Sequence, residues 1–472
     1  MRMVSPPMSV LFRSLCFCLA IGVWANAMAQ EKRNVVLFVV DDLGWMDLSC
    51  QGSDYYRTPN IDALAEKGVR FTDAYAAAAI CSPTRASILT GKYPARLMLT
   101  QWLPAGRWDA KKDKLREGRF LRGLPLEETT LAEALRETHK TINVGKWHLG
   151  GAPFSLPEQH GFDANVGGSE HGAPGSYFYP YTGDWKIPTT GKVVKKITLP
   201  DGKEGEYLTD RLTDEAIGLI DSSDEPFFLY FPFYAVHTPL QAKKELVGKY
   251  EAVPKSQQQG NPKYAAMVES VDQNVGRVVA KLKEMGIEDE TYIVFTSDNG
   301  GFAKATDNSP LRANKGSFYE GGIRVPLIVS GPGIRKGEIS NVPVISNDLY
   351  PTILDLLEMP AMPYQHMDGI SLAAHLKEGE NVDREALYWH YPHYNQHPSS
   401  APVSVVRKGK WKLIEFFETG EMELYDLGND PGEEKNLYGE KSEVVTELSA
   451  DLMEWQKEVN AEPMLPNPQY QP

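Results

Sequence analysis

Four apolar, strand-like runs in this chain end on clusters of polar and charged residues, and that repetition restricts the fold more than any other feature. Asn34 to Val40 runs into Asp41-Asp42, and Thr141 to Val144 into Gly145-Lys146-Trp147-His148-Leu149-Gly150. Phe227 to Tyr234 is followed by His237, and Tyr292 to Thr296 delivers Asp298-Asn299-Gly300. Runs this apolar suit strands buried on both faces. Helical segments lie between them: Asn60 to Lys67 ended by Gly68, Leu131 to Thr138, Tyr264 to Met285 and Asp348 to Leu357, with one more strand at Val325 to Val329. Strands alternating with helices predict an α/β fold, a large, mostly parallel sheet sandwiched by helices. In such sheets ligands bind beyond the carboxyl ends of the strands, where these polar clusters fall.

From about Asp383 the texture changes. Tyr388 to Tyr391, Val403 to Arg407 and Trp411 to Phe417 read as short antiparallel strands, and Ser442 to Val459 as a terminal helix. A chain of 472 residues exceeds one typical core. The expected division is a signal peptide over 1–29, a catalytic domain over 30–382 and a smaller C-terminal α+β domain over 383–472. Lys255 to Pro262 reads as a surface loop.

The first residues have the layout of a secretory signal: Arg2 and Arg13, an apolar run from Leu15 to Trp24, and a small-x-small site at Ala27-Met28-Ala29, with cleavage after Ala29. The expected location is periplasmic or secreted. No later stretch is long and apolar enough to suggest a membrane anchor. Cys16 and Cys18 leave with the signal, so Cys50 and Cys81 remain, either as a disulfide or, if Cys81 is modified, with Cys50 as a lone thiol. Losing Arg2 and Arg13 takes the net charge from −14 to −16. An acidic surface excludes nucleic acid as a partner and requires a locally basic pocket for any anionic substrate.

Cys81-Ser82-Pro83-Thr84-Arg85-Ala86-Ser87-Ile88-Leu89-Thr90-Gly91 carries the sharpest functional signal. A match to Cys-x-Pro-x-Arg-x-x-x-Leu-Thr-Gly arises by accident on the order of once in 10⁵ chains of this length. A free cysteine is commonly a small buried residue. Here, however, a proline sits just inside a helix start and an arginine follows one turn later, a position that lowers a thiol pKa or cradles an anion. Cysteine and arginine are too close together for a cysteine-phosphatase loop. The segment resembles the signature of type I (formylglycine-dependent) sulfatases of the alkaline phosphatase superfamily, in which this cysteine becomes Cα-formylglycine (3-oxoalanine).

That resemblance implies an alkaline-phosphatase-like fold and a site assembled from several strand ends. Asp41, Asp42, Asp298 and Asn299 form an all-oxygen set suited to a hard cation. By resemblance they bind one Ca²⁺ per chain, in preference to Mg²⁺, together with the converted Cys81. An amide at Asn299, where two-zinc relatives place histidine, favours a single ion. Arg85, Lys146 and Lys315 supply positive charge for a sulfate ester, and His148 and His237 supply proton transfer. Alone, each histidine or lysine would read as an ordinary surface or packing residue; Gly145 to Gly150 and Gly321-Gly322-Ile323-Arg324-Val325-Pro326 match the family around them. The implied mechanism is attack on sulfur by one hydroxyl of the hydrated aldehyde. His237, with Lys315, helps the alcohol leave, and His148 drives expulsion of sulfate through the second hydroxyl.

The reading is an exported carbohydrate sulfatase, with a sulfated carbohydrate as substrate and a formylglycine-generating maturase acting on Cys81 as partner. Two alternatives are a phosphodiester or phosphonate monoester hydrolase of the same superfamily and a catalytically silent sulfoglycan-binding protein. Candidate substrate contacts are Trp102, Arg107, His171, Tyr177, His390 and His393. Aromatic rings in loops, Trp108, Tyr179 and Tyr181 among them, either stack on sugars or pack the loops. His390, His393 and His397 lack the acidic or cysteine neighbours of a metal cluster.

Overall fold

Every residue of the strand Asn34–Val40 is buried, because the strand lies inside an eight-stranded sheet. The computed structural model describes residues 33–104, 106–186, 193–195, 197, 199 and 202–471; the expected signal peptide lies outside them. Across the sheet the order is Glu338–Ser340, Gly68–Phe71, Leu327–Ser330, Thr291–Ser297, Asn34–Val40, Phe227–Pro232, Lys140–Val144 and Ala164–Val166. Neighbours run parallel except that Leu327–Ser330 is antiparallel to both of its partners. The expected strand at Val325 to Val329 therefore starts later, at Leu327: Val325 and Pro326 bond instead to Ala74 and Thr296.

Alternate side chains of the central strands feed two separate cores, as a period of two requires. Val36, Phe38 and Val40 pack with Phe231, Phe295 and the helices Leu208–Asp221 and Pro262–Glu284. Val35, Leu37 and Val39 pack on the other face with Ile88, Leu89 and the helix Leu349–Leu356. Burying side chains of this size contributes about 1.5–3 kcal/mol each. The helix expected at Leu131 to Thr138 stops at Leu135, and its start is fixed by a capping box between Thr130 and Glu133. Lys255 to Pro262 is only partly a loop: it holds a single 3₁₀ turn, Lys255–Gln257, and Pro262 already opens the next helix. Among the described residues no helix is long and apolar enough to cross a membrane.

The C-terminal sheet has four antiparallel strands, Leu387–Tyr391, Val403–Lys408, Trp411–Phe416 and Met422–Asp426, the last unforeseen from sequence. The helix Ser442–Glu458 lays Leu448, Leu452 and Trp455 against it. Its core is shared with Tyr75 and Ala77 to Ile80, the segment that leads into Cys81, and Trp389 Nε1 donates to Ala76 O at 2.8 Å.

A buried ion network fastens this sheet to the larger one. Lys412 Nζ lies 2.9 Å from Glu320 Oε1 and 2.8 Å from Glu433 Oε1, and all three side chains are fully buried. Tyr75 Oη donates to Glu320 Oε2 at 2.6 Å and receives a bond from Arg407, which also pairs with Asp73 at 2.7 Å. Glu320 N donates to Glu433 Oε2 at 2.7 Å. Burial would raise Glu320, but the pull of Lys412, helped by Arg324 and Arg407, outweighs it and holds Glu320 down at about 2, while burial and the charge of Glu320 push Glu433 up to about 7.

Candidate active site

Cys81 is the first residue of the helix Cys81–Thr90, with Ile80 as an extended N-cap and Gly91 closing it at φ 69°. No side chain caps the N-terminus, so its backbone N–H groups stay available to an anion. The whole helix is buried although half of it is polar, and its polar groups are satisfied internally. Thr84 Oγ1 bonds Ala78 O at 3.1 Å, Ser87 Oγ bonds Asn347 Oδ1 at 2.8 Å, and Leu103 N donates to Ser82 Oγ at 3.2 Å.

The strand ends deliver their acids around Cys81. Asp41, Asp42 and Asp298 carboxylates and Cys81 Sγ offer ligand atoms that all lie within 4.8 Å of one another. Three cations interleave with the acids. Arg85 Nε donates to Asp298 Oδ2 at 2.9 Å, Lys146 Nζ to Asp41 Oδ2 at 2.6 Å, and Lys315 Nζ lies 2.6 Å from Asp42 Oδ1 and 3.6 Å from Cys81 Sγ. Burial, then Asp298, pushes Asp41 up to about 8; Asp42 is burdened by burial too, but Lys315 and His237 hold it below the usual range. Burial pushes the Cys81 thiol up to about 12. A lowered thiol pKa, one of the two things such a helix start can bring about, does not arise: burial outweighs the pull of Lys146 and Lys315, and Arg85 is committed to Asp298.

Backbone strain accompanies this geometry. Asp42 and His148 both hold left-handed backbones, φ 62° and 60°, a cost of order 1–3 kcal/mol each. Asp42 N is tied to Asp298 Oδ1 at 3.2 Å, and His148 N to Ser169 O at 2.9 Å. Gly145 at φ 115° is required, since a Cβ there would stand 2.1 Å from Pro232 O; the chain passes that close in order to aim Lys146 at Asp41.

Lys315 arrives by a different route. Because Leu327–Ser330 is antiparallel, with Leu327 opposite Thr296, the segment before that strand lies at the rim where Asp298 emerges. Lys315 N donates to Gly301 O at 3.0 Å and Gly316 N to Ala79 O at 2.8 Å, which fixes the lysine beside Cys81.

The histidines differ in their bonds. His148 Nε2 lies 2.5 Å from Leu103 O, so it carries the proton, and Nδ1 is buried without a hydrogen bond. Burial, then Lys146, holds His148 neutral. His237 Nδ1 donates to Thr238 O at 2.8 Å and its Nε2 lies 3.8 Å from Asp42 Oδ2. Burial and Lys315 pull His237 down to about 3.

The residues present fit a hard divalent cation. Asn299 Nδ2 donates to Asp42 Oδ1 at 2.9 Å, and this leaves Asn299 Oδ1 buried with no hydrogen-bond donor. Three carboxylates and one orphaned amide oxygen make an all-oxygen donor set. Arg85, Lys146 and Lys315 already balance the carboxylates, so a cation added there would leave the site net positive toward an anion.

A cavity of about 650 Å³ opens over Cys81, lined by Asp42, His148, His237 and Lys315 and, further out, by Trp102, Arg107 and His171. Three sequence candidates lie elsewhere. Tyr177 is fully buried and its hydroxyl clamps Tyr234 O and His237 O at 2.6 and 2.9 Å. His390 is spent on Ser404 Oγ and Glu462 O, and His393 on Thr100 Oγ1 and Glu117. Phe302, Lys304 and Gln396 line the cavity without having been singled out as substrate contacts, and His397, weighed from the sequence beside His390 and His393, lines it as well. They sit in irregular loops that no periodicity marks.

Comparison with known proteins agrees with this geometry. The sulfatase family model matches residues 33–359, and the model described as N-sulphoglucosamine sulphohydrolase, C-terminal, matches 313–458. A sulfatase of Formosa agariphila is 34% identical, covering 91% of this chain and 89% of its own length. Human arylsulfatase A is 31% identical, covering 90% and 87%. The crystal structure of Ps i-CgsB in complex with k-i-k-neocarrahexaose superposes with a TM-score of 0.74 at 32% identity, covering 90% of this chain and 92% of that one.

Proposed function

The chain belongs to the sulfatase family, and from that premise we propose an exported hydrolase that releases inorganic sulfate from a sulfated carbohydrate, using an aldehyde formed from Cys81 and one bound Ca²⁺. The observation that carries this reading is the packing of Cys81 at an uncapped helix start among three carboxylates and three cations. Carbohydrate is favoured by the size of the cavity, by Trp102 at its wall and by the relative crystallised with a neocarrahexaose. Export rests on the signal-like residues 1–29 and requires a maturase that reaches Cys81.

Asp41, Asp42, Asp298 and Asn299 would hold the Ca²⁺, whose charge would bind sulfate oxygens and polarise the nucleophile. In the unmodified chain Cys81 Sγ stands where the aldehyde oxygen, or its hydrate, would be. Around it, Lys146 and Arg85 hold Asp41 and Asp298 in place. Lys315, kept charged by Asp42, is the nearest proton donor to the reacting position. His237 is neutral in the free site, and a sulfate monoanion beside it would shift it toward the protonated form, the direction that suits it to assist the leaving alcohol. His148, neutral with its Nδ1 lone pair free, suits the base that drives sulfate out.

The test is mass spectrometry of the peptide containing Cys81, alongside steady-state sulfate release from sulfated sugars. Conversion to the aldehyde lowers the mass by about 18 Da. Full activity from protein holding only unmodified cysteine would sink the nucleophile, and turnover of phosphonate or phosphate diesters without sulfate release would favour the superfamily alternative.

A further inference from the structure

The cavity carries more positive charge than one sulfate ester needs. Arg85, Lys146 and Lys315 are each paired with a carboxylate at the floor. Arg107, on the outer wall, is not: among the described residues its guanidinium has no carboxylate within ion-pair distance, and its Nε is buried with no acceptor. It lies over the Trp102 ring, 5.6 Å from the centroid, so its orientation is set by a side chain that is itself nine-tenths buried. Lys304, exposed and without a salt bridge among the described residues, lines the same cavity, and His397 sits there against Phe302. Asp42, already held by Lys315, is the one acid in the cavity lining among the described residues.

In a chain of net charge −14, a part-exposed guanidinium on a cavity wall with no carboxylate partner among the described residues is left available to an anion that enters from solvent. The cavity, about 650 Å³, exceeds what a sulfate and the sugar bearing it occupy. We propose that Arg107, oriented by Trp102 and supported by Lys304, binds a second anionic group on the same substrate, so that the preferred substrate is a doubly charged carbohydrate bearing a sulfate or carboxylate besides the sulfate removed. This rests on the sulfatase reading of the Cys81 site and specifies its substrate class. The two anions share one chemistry, a pair of negatively charged oxygens on one central atom that a guanidinium fork meets in bidentate fashion.

The experiment compares kcat/KM for sulfate release on matched pairs: a monosulfated oligosaccharide against the same sugar with a second sulfate, the same sugar with a neighbouring carboxylate, and an aryl sulfate with and without a second anionic substituent. Wild type prefers the doubly charged member of a pair, through KM, by about tenfold or more. Arg107→Gln removes most of that preference, and Arg107→Lys, which keeps the charge but not the fork, retains part of it. Equal losses on both members of every pair in Arg107→Gln, or no wild-type preference, overturns the assignment. The carboxylate and second-sulfate arms identify which anion is read. If aryl but no sugar sulfate is cleaved, the carbohydrate reading falls, while the aryl pair still decides whether Arg107 reads a second charge. Lys304→Gln, a change at an exposed side chain, gives a smaller loss of preference in the same direction, and no change in it would remove Lys304 from the proposal.

Discussion

Replacing Lys412 with methionine removes the one lysine between Glu320 and Glu433 and keeps nearly the same side-chain volume. The loss can be bounded from the geometry. Glu320 is held near 2 against an ordinary value of 4.5, which at neutral pH corresponds to about 3 kcal/mol of stabilisation. Removing one partner of a fully buried pair costs about 3–5 kcal/mol, so the two estimates agree. In a chain this long, 1 kcal/mol moves the unfolding temperature by about 1 °C, which gives a fall of about 3–5 °C at pH 8. The pH dependence has a definite sign. In wild type, the Glu320 contribution is complete above its unfolded value and is lost as pH falls toward 2. Glu433, raised to about 7, contributes the opposite way: its stabilisation is present below 4.5 and lost as pH rises through 7. In Lys412→Met both carboxyls are raised, so protons restore stability and the deficit at pH 5 is less than half of that at pH 8. Thermal unfolding at the two pH values checks this, with Lys412→Met/Glu433→Gln expected to recover part of the loss at pH 8. Equal unfolding temperatures at pH 8, or a deficit that grows at pH 5, would refute the reasoning.

Asn299→Leu removes the orphaned amide oxygen and should reduce bound calcium, measured by metal analysis, with activity partly restored by excess Ca²⁺; Asp298→Ala, which also frees Arg85, should not be restored. His237→Ala should cost tenfold or more in kcat/KM on a sugar sulfate, and clearly less on an aryl sulfate whose phenoxide leaves unaided. His148→Ala should slow both substrates by similar factors, and a leaving-group dependence like that of His237→Ala would contradict its assignment as the base.

The site was legible in the sequence wherever a residue follows a strand of the parallel sheet. Asp41, Asp42 and Asp298 are marked that way, since the polar residue after a buried run is visible in the pattern itself; Lys146 and His148 also follow a strand, but only the match of Gly145 to Gly150 to the sulfatase pattern singled them out. Lys315 breaks that rule: it precedes a strand, and only the reversal of Leu327–Ser330 turns that segment toward the rim. Strand direction is a tertiary property that apolar runs do not encode. His390 and His393 misled because neither the strand that ends at Tyr391 nor the loop after it tells whether a histidine meets a cavity or packs against Ser404 or Glu117. The Lys412 network was invisible because its members lie in segments that meet only after folding.

The segment entering Cys81 is walled on one side by the C-terminal sheet, and the bond from Trp389 to Ala76 spans 313 positions of sequence. At ordinary rates of translation, that wall is completed roughly 15 to 60 seconds after Cys81 has been made. Until then the thiol is an exposed group on an unfinished chain; afterwards it is 3% exposed and sealed from any protein-sized catalyst. An enzyme that modified this side chain would therefore have to reach it before synthesis and folding close the wall.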